Sequence, residues 1–200
     1  KLSLQQICCN QTGFQLSNNL IEKMDDKNIS EIFKEKDWQM NGESLFSKLE
    51  FIRKEIEKIE NYILKQLHEK SYYKSLMSVP GIGKILSFTI SLETGPIERF
   101  GSPGQYASYC RCVPSSYWSN EKRKGQGNSK NGNKYLAWAY AEAANFCIRY
   151  CEEAKKYYQR KMAKTNAPKT YRAVSNKLAK ACYFLMRDGT EFDAKRLFGS

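Results

Sequence analysis

Leu76-Met-Ser-Val-Pro-Gly-Ile-Gly-Lys-Ile-Leu-Ser-Phe-Thr-Ile90 gives the clearest indication of the fold in this 200-residue chain. It combines the apolar end of one helix, a Gly-x-Gly turn and the apolar start of a second helix. Glycine is needed where a backbone turns tightly and must approach another backbone closely. The stretch therefore predicts two helices joined by a tight connection.

The connection Val79-Pro-Gly-Ile-Gly-Lys84 resembles that of a helix-hairpin-helix. In such a motif the amides of Gly81 and Gly83, with the N-terminus of the next helix, would bind a phosphate without reading a base. Lys84 would add positive charge. The alternative is an ordinary helical corner with glycines for steric reasons alone. A P-loop is excluded, because the Gly-x-x-x-x-Gly-Lys-Ser/Thr spacing is absent.

The segment before this connection has a heptad pattern, with apolar residues at alternating spacings of four and three: Leu45, Leu49, Ile52, Ile56, Ile59 and Ile63. The pattern predicts one continuous helix of the coiled-coil type from Leu45 to about Leu67. Two alternatives stay open, because so short a seam can either self-associate or pack on its own domain.

Residues 1 to about 42 are polar and mixed, and they predict two short helices. The turn-prone pairs Asn18-Asn19 and Asp25-Asp26 lie among them, and Asn41-Gly-Glu-Ser44 supplies a break and an N-cap. The start lacks an initiator Met and a signal-peptide pattern. We therefore expect residues 1–43 to be the end of a preceding region of a longer protein.

The C-terminal half predicts further helices and a polar, mobile loop. The expected elements are a short helix over 105–112, a loop from Pro114 to Asn133, a long helix from Tyr135 to about Met162, and a helix over Lys169–Arg187. Asn166-Ala-Pro168 separates the last two, and Asp188-Gly189 is the expected C-cap.

No segment alternates like a strand over several residues, so the predicted fold class is all-α or nearly so. It consists of a long coiled-coil-type helix followed by a compact helical domain. The expected division of the chain is 1–43, 44–75 and 76–200.

Composition favours a polyanionic partner. Lys and Arg total 33 against 21 Asp and Glu, a net charge of +12. Each cation set against a phosphate can release condensed counterions. The alternative is a protein that merely happens to be basic. No apolar run approaches the roughly 20 residues that a membrane helix needs, so no membrane partner is expected.

The seven cysteines form an odd set without disulfide spacing: Cys8, Cys9, Cys110, Cys112, Cys147, Cys151 and Cys182. The one histidine is distant in sequence from the Cys147/Cys151 pair, and no Cys-x-x-Cys occurs. We therefore expect buried free thiols in a reducing cytoplasm and no metal site in this chain.

The loop that begins at Pro114 carries the chemistry. Tyr117 and Trp118 offer stacking surfaces for unstacked bases. Five cations accompany them: Lys122, Arg123, Lys124, Lys130 and Lys134. A serine beside several cations could attack a phosphodiester, because the cations stabilise charge developing on the phosphoryl oxygens.

The order of the motifs is similar to one family. The motifs are Val79-Pro-Gly-Ile-Gly-Lys84, Glu93-Thr-Gly95, Arg99-Phe-Gly-Ser102, Tyr106-Ala-Ser-Tyr109, Pro114 with Ser119 five residues later, and Ser129-Lys-Asn-Gly-Asn133-x-x-Leu136. Together they resemble the C-terminal transposase domain of the IS110 insertion-sequence transposases and the related Piv DNA invertases. Arg187-Asp-Gly-Thr-Glu-Phe-Asp193 is similar to the tail of that family.

By motif position the resemblance makes Ser119 the catalytic serine, with Ser115 and Ser116 as lesser candidates. Two residues depart from the family pattern. Asn120 stands where Gly is usual, which bears on the turn geometry. Ala137 stands where Arg is usual, which removes a phosphate or structural contact.

The resemblance also implies an N-terminal RuvC-like domain with four metal-binding carboxylates and Mg²⁺, a structured guide-type RNA, and a homo-oligomer, a dimer or a tetramer, that brings two DNAs together. The implied reaction is DNA cleavage and rejoining through a phosphoserine, in the bacterial cytoplasm at the nucleoid. The fragment alone is expected to be inactive. Its own Glu93, Glu98, Asp188 and Asp193 are interpreted as surface charges, caps or ion-pair partners. The alternative function is a non-catalytic helix-hairpin-helix module that binds DNA or RNA.

Overall fold

The computed structural model describes residues 1–68, 71–113, 117–125 and 130–199. Within these ranges the chain is predominantly helical, as predicted, with one short two-stranded sheet. In chain order the elements are α1 (Leu2–Thr12), α2 (Asn18–Lys23), α3 (Asp26–Ile32), α4 (Lys36–His68), α5 (Ser71–Met77), α6 (Lys84–Thr94), the 3-10 helix η1 (Ile97–Arg99), α7 (Pro103–Tyr109), β1 (Tyr117–Ser119), β2 (Lys122–Gly125), α8 (Lys134–Tyr150), α9 (Glu152–Met162), α10 (Ala167–Asp188) and α11 (Ala194–Phe198). No described helix is both long and apolar enough to cross a bilayer.

The chain divides into two compact units, Lys1–Leu64 and Lys65–Ser200. The first unit has its own small core, formed by Leu4, Cys8, Leu16, Ile21, Met24, Ile29, Phe33 and Phe46. Local capping explains where its short helices begin. The Ser17 side chain accepts from Leu20 N, and Asp25 forms a capping box with Asn28.

The prediction for residues 1–42 is wrong in two respects. Three helices precede α4 instead of two, because Ser17 and Asp25 cap helices where turns were expected. Asn41–Ser44 is no break, since α4 runs through it. A Cβ on Gly42 would lie 2.8 Å from Phe33 Cε2, so this glycine makes room for a core ring inside a helix.

The prediction of a continuous helix over the heptad region is confirmed, because α4 spans Lys36–His68 without interruption. Ile52, Ile56 and Ile59 keep 54%, 51% and 56% of their surface exposed. Packing within the chain therefore does not cover the middle of the seam.

The second unit is organised around α10, which packs against α5, α7, α8 and α9, while α8 also packs against α6. A chain of buried hydroxyls crosses its core. Thr94 Oγ1 and Tyr106 Oη are 2.8 Å apart, and Tyr106 Oη and Tyr140 Oη are also 2.8 Å apart. Burial raises the pKa of both tyrosines well above the ordinary value, so both stay neutral hydrogen-bonding groups.

The long helix predicted from Tyr135 to Met162 is two helices. Cys151 has an extended backbone, with φ −119° and ψ 117°, and separates α8 from α9. The change of direction buries Ala154 completely and places the Tyr157 ring 5.7 Å from that of Phe198. The only local signal is the acidic pair after Cys151, which suits a helix N-terminus.

The helix predicted over Lys169–Arg187 is present as α10, which begins two residues earlier, at Ala167, and ends one residue later, at Asp188. Asn166 caps its N-terminus by accepting from Lys169 N, and Gly189 ends it in the left-handed conformation at φ 65°. The short helix predicted over 105–112 begins earlier, at Pro103, because Ser102 caps it and Pro suits the first helical turn.

Candidate nucleic-acid interface

The serine loop contains a β-hairpin over residues 117–125, where a polar loop without strands was predicted. Ser119 pairs with Lys122, so Asn120 and Glu121 form a two-residue connection. Their φ angles are 51° and 60°. Positive φ at both positions matches the twist of a hairpin, and Asn adopts it more readily than most residues. Asn120 therefore replaces the usual Gly without preventing the turn.

The hairpin brings several predicted site residues together at the level of the backbone. Tyr117 and Trp118 precede Ser119 on β1, and Lys122, Arg123 and Lys124 lie on β2. Ser115 and Ser116 fall outside the described residues. Ser119 is therefore the last residue of its strand, directly opposite a lysine.

The C-terminal end of the loop is tied to residues that precede the loop, through hydrogen bonds to backbone carbonyl oxygens. Arg111 Nη2 donates to Gly132 O at 2.8 Å and also to Lys130 O. Asn133 N donates to Tyr109 O at 2.7 Å. A Cβ on Gly132 would lie 2.4 Å from Tyr109 O, so only glycine allows this approach.

Asn133 is the central residue of this connection. Its Oδ1 accepts from Tyr135 N at 2.8 Å and Leu136 N at 3.0 Å, which caps α8. Its Nδ2 donates to Glu93 Oε2 at 2.6 Å. Hydrogen bonds with Asn133 and Arg99 lower the pKa of Tyr109. We call Glu93, Tyr109, Arg111, Gly132 and Asn133 the loop anchor.

The loop anchor was missed by the sequence reasoning, which interpreted Glu93 as a surface charge. Glu93 is half-buried, and its partner lies forty positions along the chain. The Glu93-Thr-Gly95 and Asn-Gly-Asn133 motifs were both recognised. No spacing rule connects them, because only the packing of α6 beside α8 brings them together.

We expect Asn133→Ala to destabilise the protein by about 2 kcal/mol, because it removes an N-cap and leaves the Glu93 carboxylate without its donor. Asn166→Ala is the matched control and should cost about 1 kcal/mol, since the Asn166 side chain caps α10 and has no second hydrogen-bond partner among the described residues. Urea unfolding of both variants measures the difference. Equal losses would show that the Glu93 contact contributes nothing.

The two glycines of the α5–α6 connection have different surroundings. Gly81 has φ 95°, and a Cβ there would lie 2.7 Å from both Ala143 O and Cys147 N. Gly81 therefore serves close packing against the α8 backbone, as the steric alternative proposed. Gly83 has open space around it and is the N-cap of α6. Lys84 Nζ lies 5.8 Å from the Phe88 ring centroid.

Exposed groups beside the anchor extend the candidate interface. Lys122, Lys130 and Lys134 are all exposed. Tyr135 and Trp138 keep 52% and 47% of their surface exposed at the start of α8. These two aromatic residues were not predicted, although their spacing of three on a helix would have indicated a shared face.

Ala137 lies on the wall of a cleft of about 930 Å³ between α8 and α10. Arg111 and Gly132 of the loop anchor form its third side. The residue that departs from the family pattern thus leaves open space next to the base of the serine loop.

The prediction that the cysteines are free thiols is confirmed. All seven are free, and only Cys9 is exposed. Burial raises the pKa of Cys112, Cys147 and Cys182 to about 12, so these thiols stay protonated at neutral pH. Within the described ranges, no group of three or more His, Cys, Asp or Glu side chains is placed to hold a metal ion.

These features define a basic helical domain. It contains the serine hairpin, in a loop whose C-terminal end is held by the loop anchor. Residues 73–159 match the model of the Transposase IS116/IS110/IS902 family. The resemblance inferred from the motif order is therefore confirmed for this segment, which includes Ser119.

The chain is also similar to the transposase for insertion sequence element IS1328 of Yersinia enterocolitica. The two are 23% identical over 146 residues, which cover 71% of this chain and 44% of the relative. The chain thus spans less than half the length of this relative. The two matches support a transposase function.

Proposed function

We propose that this chain is the serine-bearing part of a DNA transposase, which cuts and rejoins DNA through a phosphoserine intermediate. The observation that carries the proposal is the position of Ser119. It ends β1 opposite Lys122, in a cation-rich hairpin within the segment that matches the transposase family.

In the proposed reaction Ser119 Oγ attacks the phosphorus of a DNA phosphodiester. A bond forms between Oγ and phosphorus as the bond from phosphorus to the 3′-oxygen breaks. The proton lost from Oγ is balanced by the proton that the 3′-oxygen gains. One phosphoester replaces another, so rejoining needs no ATP. Lys122 and its neighbours would stabilise the charge on the phosphoryl oxygens.

Mg²⁺ would add charge stabilisation at the attacked phosphate, held by the carboxylates of a RuvC-like domain. The described residues of this chain contain no matching carboxylate cluster. In this proposal the residues of this chain bind and orient the DNA and supply the nucleophile.

The proposed partners are DNA, a structured guide-type RNA and further copies of the chain. Ile52, Ile56 and Ile59 form an exposed apolar face on α4. Contact between copies of the chain would remove this face from water, which supports self-association through α4. A transposase acts where its DNA is, so we place the protein in the bacterial cytoplasm at the nucleoid.

The second candidate function is a non-catalytic module that binds nucleic acid through the α5–α6 connection, in which Ser119 is inert. The open position of Gly83 at the N-terminus of α6 favours it. The Ser119→Ala variant distinguishes the two functions, because a module that only binds nucleic acid would keep its full function without this hydroxyl.

We expect the 200-residue chain to bind duplex DNA with weak sequence preference and steep salt dependence. If about four phosphates are contacted, affinity should fall about a hundredfold between 50 and 200 mM salt. Fluorescence anisotropy at four or more salt concentrations measures the slope.

Lys122→Gln should make the fall of log affinity with log salt concentration less steep, by the amount expected for the loss of about one phosphate contact. Lys54→Gln is the control, because it removes the same charge from an exposed position on α4. An unchanged affinity across this salt range would contradict the electrostatic argument.

A further inference from the structure

The cleft between α8 and α10 has the dimensions and the lining of a small-ligand site. Its volume is about 930 Å³, at the upper end of the range for pockets that hold one small ligand. Ala137, Ala141 and Asn145 recur every four residues, so they lie along one face of α8. The short side chains of the two alanines leave space in the cleft.

Two polar side chains in this cleft have no partner among the residues that the structure describes. Glu142 and Asn145 lie one turn apart on α8, and both are half-buried. Neither makes a hydrogen bond or an ion pair with any of the residues that the structure describes. Because neither side chain is fully buried, water can reach both, and a ligand with complementary donors would take the place of that water.

The opposite wall supplies an aromatic surface and a cation. Tyr171 of α10 is 37% exposed, and its ring lies 5.1 Å from that of Tyr158. Arg172 follows it, with one contact to Arg111 O at 3.5 Å, the outer limit of a hydrogen bond. Unpaired bases stack on such rings, and guanidinium groups bind phosphates.

We propose that this cleft holds one unpaired nucleobase of a DNA strand beside the serine hairpin, with guanine bound most tightly. The proposal rests on the proposed function, because an enzyme that distorts DNA at a scissile phosphate can stabilise an extruded base. Tyr171 stacks on the base, and Arg172 contacts its phosphate.

Glu142 selects the base. Guanine presents N1–H and N2–H side by side, and one carboxylate accepts both. Adenine and cytosine each offer one amino group to the carboxylate. Thymine flanks its single N–H with two carbonyl oxygens, which repel a carboxylate. Asn145 is left to donate to guanine O6.

The test measures binding of the 200-residue chain to labelled thymidine nonamers that carry guanine, adenine, cytosine or thymine at the centre. We expect the guanine nonamer to bind about tenfold more tightly than the thymine nonamer. Glu142→Gln should reduce this ratio to about twofold or less, and Asn145→Ala should reduce it about threefold. Glu57→Gln, the same charge change at an exposed position of α4, should leave it unchanged.

Equal binding of the four nonamers would overturn the proposal, and so would a guanine preference that survives Glu142→Gln. Thermal unfolding of each variant checks that a lost preference is not lost folding. Either overturning result leaves the phosphoserine mechanism standing. Base preference without a Ser119 adduct in the full-length protein would instead reject the mechanism and keep the cleft.

Discussion

The Ser119→Ala variant of the full-length protein is expected to form covalent protein–DNA adduct at least about 10⁴-fold more slowly than the wild type, because removal of a nucleophile eliminates the covalent step. The full-length protein and the variant are incubated with DNA, Mg²⁺ and the element's RNA. The adduct is then separated from free protein by denaturing electrophoresis. Binding of DNA should be unchanged within about twofold, since alanine removes only one hydroxyl.

Ser115→Ala and Ser116→Ala are the matched controls, because they remove the same group from the same loop. Both should keep the adduct. An adduct that survives Ser119→Ala and disappears in either control would move the nucleophile to that serine. The 200-residue chain should form no adduct, since serine is a weak nucleophile at neutral pH and the hairpin cations supply only part of the charge stabilisation.

Gly81→Ala is expected to destabilise the second unit by about 3 kcal/mol or more. Alanine at φ 95° is strained, and its Cβ would lie 2.7 Å from two backbone atoms of α8, which cannot move aside like a flexible side chain. Urea unfolding followed by circular dichroism measures the loss.

Gly83→Ala is the control two residues away. It has ordinary backbone geometry and nothing within 4 Å of the new Cβ, so its cost should stay within about 1 kcal/mol. If Gly81→Ala instead left stability unchanged and weakened DNA binding, the glycine would be a phosphate contact and the packing interpretation would be wrong.

Helices with strong local signals were predictable from the sequence. The four–three spacing from Leu45 indicated α4, and the expected C-cap at Asp188-Gly189 lies at the end of α10, because capping depends on a few neighbouring residues. The order of the motifs along the chain indicated the transposase-like segment. These features are local, or they are patterns along the chain, and so they need no knowledge of packing.

Features that depend on distant neighbours were not predictable. Gly42 was interpreted as a helix break, yet the core ring of Phe33, just after α3, occupies the space beside it. Cys151 interrupts a good helical sequence, because the change of direction buries Ala154. In both places the burial of apolar side chains outweighs helix propensity, which amounts to less than about 1 kcal/mol per residue.

The candidate site shows the same difference between local features and features that depend on packing. The sequence showed that a serine lies among cations in a polar loop. The structure showed that this loop forms a hairpin with Asn120 in its turn. The packing of the helices determined that Glu93 binds Asn133, that Gly81 packs on α8, and that Ala137 borders an open cleft. Hydrogen bonds and close approaches between separate helices depend on how those helices pack, and no spacing along the chain encodes that geometry.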